Sequence, residues 1–220
     1  TVKHRIGIDG LERYEDLAHF VHAVAPAGCD RFTVHARIAV LQGLSPRENR
    51  TVPPLRYSDV YRLKAAFPAL IIEINGGITT LEAICHHLHA VDGVMIGRAA
   101  YDNPYLFALA DARFYGAAAP APTRRQVIEA MLPYLEDWQA RGLLASHTLR
   151  PVFGLFAHQR VAKAWKRYLS TNIRQTSKAP AILRDAVRQV PDDVLDAPPQ
   201  LPPLALPEFS CAGRVKNLPF

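Results

Sequence analysis

No Asp or Glu occurs between Trp138 and Arg184, although the 220-residue chain holds 20 acidic residues against 26 Lys and Arg. The basic surplus is therefore local. Pro120 to Val190 carries twelve Lys or Arg and four Asp or Glu, which more than accounts for the formal net charge of +6. Like charges at that density repel unless solvent or an anionic partner screens them, and nucleic acid is the polyanion that fits. Long hydrophobic runs are also missing. Those around Leu70 to Ile74 and Val94 to Ile96 are only a few residues long, far short of the ~20 that span a bilayer, so no membrane partner is expected. Cysteine is scarce and scattered. Cys29, Cys85 and Cys211 form no CxxC and have no His at ligand spacing, which argues against a disulfide framework and against a metal site and fits a reducing cytoplasm. Thr1 to Gly7 carries neither an initiator Met nor a basic-then-apolar leader. It reads as strand interior, so the true N-terminus is expected upstream. No GxGxxG occurs, hence no sign of a resident dinucleotide domain.

What is present suffices for a real core: 49% of residues are hydrophobic and 21% charged, the balance of an ordinary globular chain. From Thr1 to about Arg113, short β-rich runs alternate with amphipathic helical segments, the pattern of parallel βα units. Four strands are expected, at Val2 to Ile6, Phe32 to His35, Leu70 to Asn75 and Gly93 to Ile96. The first helix shows Tyr14, Leu17, Ala18, Val21, Val24 and Ala25 at three-and-four spacing, and the third opens on the capping-box pattern Thr79-Thr-Leu-Glu82. Arg37 to Tyr57 is a long connection broken by Gly43, Pro46, Pro53 and Pro54, and long βα loops commonly carry function. After an Ala/Pro linker at 117–122 the strands stop. A helical domain is expected over 123–190, its first helix burying Val127, Met131, Tyr134, Leu135 and Trp138. A proline-rich tail follows at 191–220.

Two strand ends carry glycine turns: Asn75-Gly-Gly-Ile78 and, one βα unit later, Gly97-Arg98. Backbone N–H groups in such turns can hold a phosphate and Arg98 can add a charge-assisted bond, or each can be a tight turn and nothing more. In an eight-stranded parallel barrel a phosphate site commonly follows strands seven and eight, which would make these four strands the fifth to eighth. The first two strands end in Val2-Lys3-His4-Arg5 and Val34-His35-Ala36-Arg37. Period two places Lys3 with Arg5, and Thr33 with His35 and Arg37, so each set can line the barrel interior near its functional rim. In the helical region Arg160, Lys163 and Arg167 share one stripe, opposite Val161, Trp165, Tyr168 and Leu169. That stripe is either a solvated face or an RNA contact.

In series, VKHRIG (2–7), VHARIAVLQGLSPRENR (34–50), INGGI (74–78), DGVMIGRAAYDNP (92–104), RPVFGLF (150–156) and AWKRYLS (164–170) resemble consecutive motifs of the tRNA-dihydrouridine synthases, most closely the A subfamily. The resemblance covers the chain up to about Val190. It implies an α/β fold made of the second half, four βα units over 1–116, of a TIM-type (β/α)8 barrel, followed by a small all-α helical domain. It further implies FMN held by Lys3, His35, Asn75, Gly76, Gly77, Gly97 and Arg98, with NADPH as reductant. Arg47, Arg50, Lys163 and Lys166 fall on positions that engage tRNA in the family. The implied reaction reduces a D-loop uridine to 5,6-dihydrouridine, in a cytoplasmic protein that is a monomer when full length.

The family's catalytic cysteine lies in an Asn-x-Gly-Cys-Pro type of turn that this chain lacks. It is therefore expected upstream of Thr1, and this chain alone is expected to be inactive. Other FMN-barrel oxidoreductases, or a tRNA-binding fragment without chemistry, would share part of the pattern.

Overall fold

The computed structural model describes residues 1–174 and 178–199. They fall into two compact units that divide between Gly97 and Arg98. The first unit is α/β. Its four strands, β1 (Val2–Ile8), β2 (Arg31–Ala39), β3 (Ile71–Asn75) and β4 (Gly93–Met95), form one parallel sheet in the order β1-β2-β3-β4. Three helices connect them: α1 (Tyr14–Val24), α2 (Tyr57–Ala66) and α3 (Leu81–Leu88). All four strands lie where the β-rich runs placed them, with β1 and β2 running further toward their C-terminal ends.

Side-chain alternation decides which sheet face is covered. Phe32, Val34 and Ala36 of β2 and Ile72 and Ile74 of β3 are buried, together with Leu17 and Val21 of α1, Val60 and Leu63 of α2, and Ile84 and Leu88 of α3. Those residues form the sheet–helix core, and burying each large aliphatic side chain stabilises the unit by ~2 kcal/mol. His4 belongs to this face as well. Its ring lies 4.8 Å from Phe20 and 6.0 Å from Phe32, and burial pushes its pKa below the ordinary histidine value. Helix α3 begins one residue later than the capping pattern suggested, because the Thr80 hydroxyl is the oxygen that accepts from the Ala83 N–H, at 3.1 Å.

The second unit is helical: α4 (Arg98–Asp102), α5 (Ala110–Tyr115), α6 (Arg124–Ala140), α7 (Ala145–Leu149), α8 (Ala162–Asn172), α9 (Ala179–Val187) and α10 (Asp192–Leu195), with short 3-10 segments at Pro104–Leu109 and Arg150–Gly154. Residues 98–116, which the sequence pattern grouped with the βα units, belong here by their contacts. The Tyr105 hydroxyl donates to the Pro122 carbonyl at 2.9 Å, and the Arg124 guanidinium lies 3.8 Å over the Tyr105 ring. Thr123 and Gln126 form the expected capping box of α6, but the face that α6 buries is rotated from the expected one. Arg124, Ile128 and Leu135 are buried, Val127 and Met131 pack partly against them, and Tyr134 is exposed. The core continues past 190, since Val194 and Leu195 of α10 are buried in it. The rest of the expected proline-rich tail, 200–220, lies outside the described residues, as does Cys211. No helix among the described residues is long and apolar enough to cross a membrane.

Candidate functional site

Parallel register sets two rows of residues side by side across the uncovered sheet face. One row is Lys3, Thr33, Glu73 and Gly93; the next toward the strand C-termini is Arg5, His35, Asn75 and Met95. The two sets that period two separated therefore meet on a single face. Two of its polar side chains bond within the sheet. Thr33 donates to Glu73 Oε2 at 2.6 Å, and Asn75, only 8% exposed, donates through Nδ2 to the Met95 carbonyl at 2.8 Å. Asn75 thereby ties the end of β3 to β4, while Lys3 and Met95 stay exposed.

Directly after Asn75 the chain turns on two glycines that only glycine accommodates easily. Gly76 has φ +118° and Gly77 φ +70°, both in the region that L side chains avoid. Space is limiting as well. A Cβ on Gly76 would lie 3.3 Å from the His35 ring and 3.1 Å from Leu55, and one on Gly77 would lie 2.7 Å from Leu55 and 3.1 Å from the Tyr57 hydroxyl. His35, Asn75, Gly76 and Gly77 are thus brought together at the C-terminal ends of β2 and β3, with Lys3 one row away. Gly97 closes β4 with open space at its Cα, and Arg98 opens α4 in the second unit.

Tyr57 stands at the first position of α2, a residue the sequence did not mark. Its hydroxyl donates to the Gly76 carbonyl at 2.7 Å, and desolvation raises its pKa. Behind it, His87 of α3 is 3% exposed, with its ring 4.5 Å from Tyr57 and Nδ1 2.6 Å from the Tyr61 hydroxyl. Burial, helped by the neighbouring His86, holds the His87 pKa below its ordinary value. Tyr61 and His87 share one hydrogen bond at this contact.

Arg47 and Arg50 lie exposed on the β2–α2 connection, around a 3-10 turn at Glu48–Arg50. The turn is closed locally. Ser45 Oγ accepts from the Glu48 N–H at 3.3 Å, and Glu48 Oε2 accepts from the Ser45 N–H at 2.9 Å. Hydrogen bonding of the Glu48 carboxylate to Ser45, through the hydroxyl first and the backbone N–H second, holds its pKa below the ordinary value. In the helical unit, α8 is oriented by Trp165, whose Nε1–H donates to the Val152 carbonyl at 3.0 Å and whose ring meets Phe156 at 4.6 Å. Trp165 and Leu169 are buried, so Lys163, Lys166 and Arg167 face outward. Arg160, expected on the same stripe, is instead held by both carboxylate oxygens of Asp193, at 2.8 and 2.7 Å. Arg125 is likewise paired with Asp192 and Asp196. The basic segment from Pro120 to Val190 is thus partly neutralised by acids that follow it in sequence.

None of the described cysteines is on the polar face. Cys29 precedes β2 and donates to the Arg31 carbonyl at 3.4 Å. Cys85 is buried in α3.

Residues 1–191 match the family described as Dihydrouridine synthase (Dus). Among curated proteins, a tRNA-dihydrouridine(20/20a) synthase of Synechocystis sp. is 56% identical over 188 residues, covering 86% of this chain and 56% of the relative. The protein of the same name from Shewanella oneidensis is 48% identical over 195 residues, covering 89% and 58%. That of Pseudomonas aeruginosa is 48% identical over 177 residues, covering 80% and 53%. The chain therefore spans somewhat more than half the length of the curated relatives it matches, and within that span it belongs to the dihydrouridine synthase family.

Proposed function

We propose that this chain supplies the flavin-binding face and the RNA-binding helices of an enzyme that reduces uridine in the D-loop of tRNA to 5,6-dihydrouridine, with FMN as cofactor and NADPH as reductant. On this reading the four βα units are the second half of a TIM-type barrel whose interior is the polar face, and the second unit is the helical tRNA-binding domain. The observation that carries it is the row His35–Asn75 set against the Gly76-Gly77 turn. A cation-capable ring, a fixed amide and a glycine cradle lie together at strand C-termini, where parallel barrels place their chemistry.

That cradle fits an anionic cofactor. Gly76 and Gly77 both have positive φ, and Leu55, His35 and Tyr57 pack too closely for a Cβ at either position, so the turn keeps a bare backbone whose N–H groups can serve an anion. Asn75, Gly76 and Gly77 would hold FMN from the β3 end, with Lys3 and His35 alongside. Gly97 and Arg98 take the same role from their sequence motif. Bound FMN supplies hydride chemistry that side chains lack. Lys3 supplies a positive charge on the polar face, and His35 a ring nitrogen at its rim, both able to stabilise negative charge during reduction. Arg47, Arg50, Lys163 and Lys166 neutralise tRNA phosphates while a uridine is unstacked for reduction. The proton donor is assigned to a cysteine outside this chain, and the site of action to the cytoplasm, where no membrane or metal is needed.

The test is a flavin absorbance spectrum of the FMN-loaded protein, together with dihydrouridine measured in tRNA. Bound flavin that is lost on Lys3→Ala plus His35→Ala is the expected result, with no dihydrouridine formed by this chain unless the cysteine-bearing portion is supplied. Flavin retention by the double variant would remove the polar face from the proposal, and turnover by the chain alone would misplace the acid.

A further inference from the structure

The β2–α2 connection is pinned to the sheet by Arg5 and Asn49, two motif residues given no cofactor or tRNA role above. Arg5 does not project along the polar face as its strand parity suggested. A single nitrogen, Nη1, donates to the Ile38 carbonyl at 2.6 Å, the Asn49 carbonyl at 2.8 Å and Asn49 Oδ1 at 3.1 Å. Asn49 in turn acts as a surrogate strand residue. Its Oδ1 accepts from the Val40 N–H at 3.1 Å while its Nδ2 donates to the Val40 carbonyl, so one side chain satisfies both backbone groups that β2 leaves at its end. Asn49 also sits inside the Glu48–Arg50 turn, next to Arg50 and two residues from Arg47. The register irregularity between Arg5 and Gly7 lies at the same place, with Arg5 opposite His35 but Gly7 opposite Ile38. This brings the Ile38 carbonyl within reach of the guanidinium.

We infer that the Arg5–Asn49 clasp is a positioning device that holds the loop in the conformation in which Arg47 and Arg50 meet nucleic acid. This inference rests on the reading of those two arginines as tRNA contacts. A loop of this length without the clasp would be ordered only on binding, and ordering costs ~0.5–1.5 kcal/mol for each rotamer-rich side chain immobilised. The clasp places that cost in folding rather than in recognition. Arg5 is suited to the task, since its planar guanidinium can serve several carbonyl acceptors at once and a lysine ammonium, though charged, is not preorganised to do so.

The experiment compares tRNA affinity in a double-mutant cycle of Asn49→Ala with the pair Arg47→Ala and Arg50→Ala, and adds hydrogen exchange of residues 40–52. Asn49→Ala is expected to weaken binding by about tenfold and to speed amide exchange in the loop. In the background that lacks both arginines it should cost nothing further, because the residue acts through them. Arg5→Lys, a milder change that keeps the charge, should show the same dependence on Arg47 and Arg50 if Asn49→Ala does not fold. An Asn49→Ala loss of equal size in both backgrounds, or no loss while the arginine pair matters, overturns the positioning role. Unchanged affinity on removing Arg47 and Arg50 overturns their assignment as contacts and the role of the clasp with it.

Discussion

The Tyr57 hydroxyl donates to the carbonyl of Gly76 at 2.7 Å, so the first residue of α2 fixes the turn that ends β3, the strand that follows the same helix. Leu55 and Tyr57 together fill the space beside Gly76 and Gly77, and His87 with Tyr61 backs the phenol from inside the unit. The glycine turn is thus clamped on one side by its own φ values and on the other by a side chain from α2.

Replacing Tyr57 by Phe keeps the ring and its packing on His87 but leaves the Gly76 carbonyl without this donor. The loss is expected to be ~1–3 kcal/mol, spread between stability and the affinity of the turn for its ligand. Titrating FMN into the variant should show weaker binding, together with a melting temperature lowered by a few degrees. Gly77→Ala adds a Cβ in the left-handed region, at ~1–2 kcal/mol, and a 2.7 Å approach to Leu55, so it should lose FMN more completely. Equal FMN affinity in wild type and both variants would detach the turn from cofactor binding.

Much of this was legible beforehand because the relevant signals are local. The four strands follow from short β-rich runs, and the glycine turn follows from its own dipeptide. What stayed hidden depends on contacts between distant residues. Arg160 shares a helical stripe with Lys163, but its partner Asp193 lies beyond the acid-free stretch. Tyr57 and Asn49 act through backbone carbonyls and amides, which no side-chain pattern announces. In α6, Leu135 is buried as expected and Val127 and Met131 pack partly against the core, but packing also buries Ile128 and leaves Tyr134 exposed.

Acid should weaken the first unit through its buried histidines. His87 and His4 both have pKa values lowered in the folded state, chiefly by burial, so the unfolded chain takes up protons first as pH falls. Their neutral forms are favoured by folding. Their contribution is therefore complete above the ordinary histidine value of about 6.5 and is lost progressively below it. Denaturant unfolding at pH 7.5 and at pH 5.5 should show lower stability at the acid end, and His87→Gln should reduce that difference. An unchanged difference in the variant would show that His87 is not among the groups responsible.

Lys163 and Lys166 are the sharpest test of the helical unit as an RNA contact. Both lie on the exposed side of α8, a helix whose orientation is set by Trp165 and Leu169 on its buried side. Among the described residues neither lysine is held in an ion pair, unlike Arg160 and Arg125. An exposed lysine contributes little to stability, so replacing both by Ala should leave the melting temperature and FMN content unchanged. Binding of tRNA should weaken, and the slope of affinity against salt should flatten by up to ~2 counterions, since each phosphate contact removed releases one fewer ion. Replacing Arg160 by Ala is the internal control. Its charge is already committed to Asp193, so removing it should alter the salt slope less than removing either lysine. If the lysine pair leaves both affinity and slope as they were, α8 presents an ordinary solvated face, and the basic surplus of this segment must be explained by its pairing with Asp192, Asp193 and Asp196.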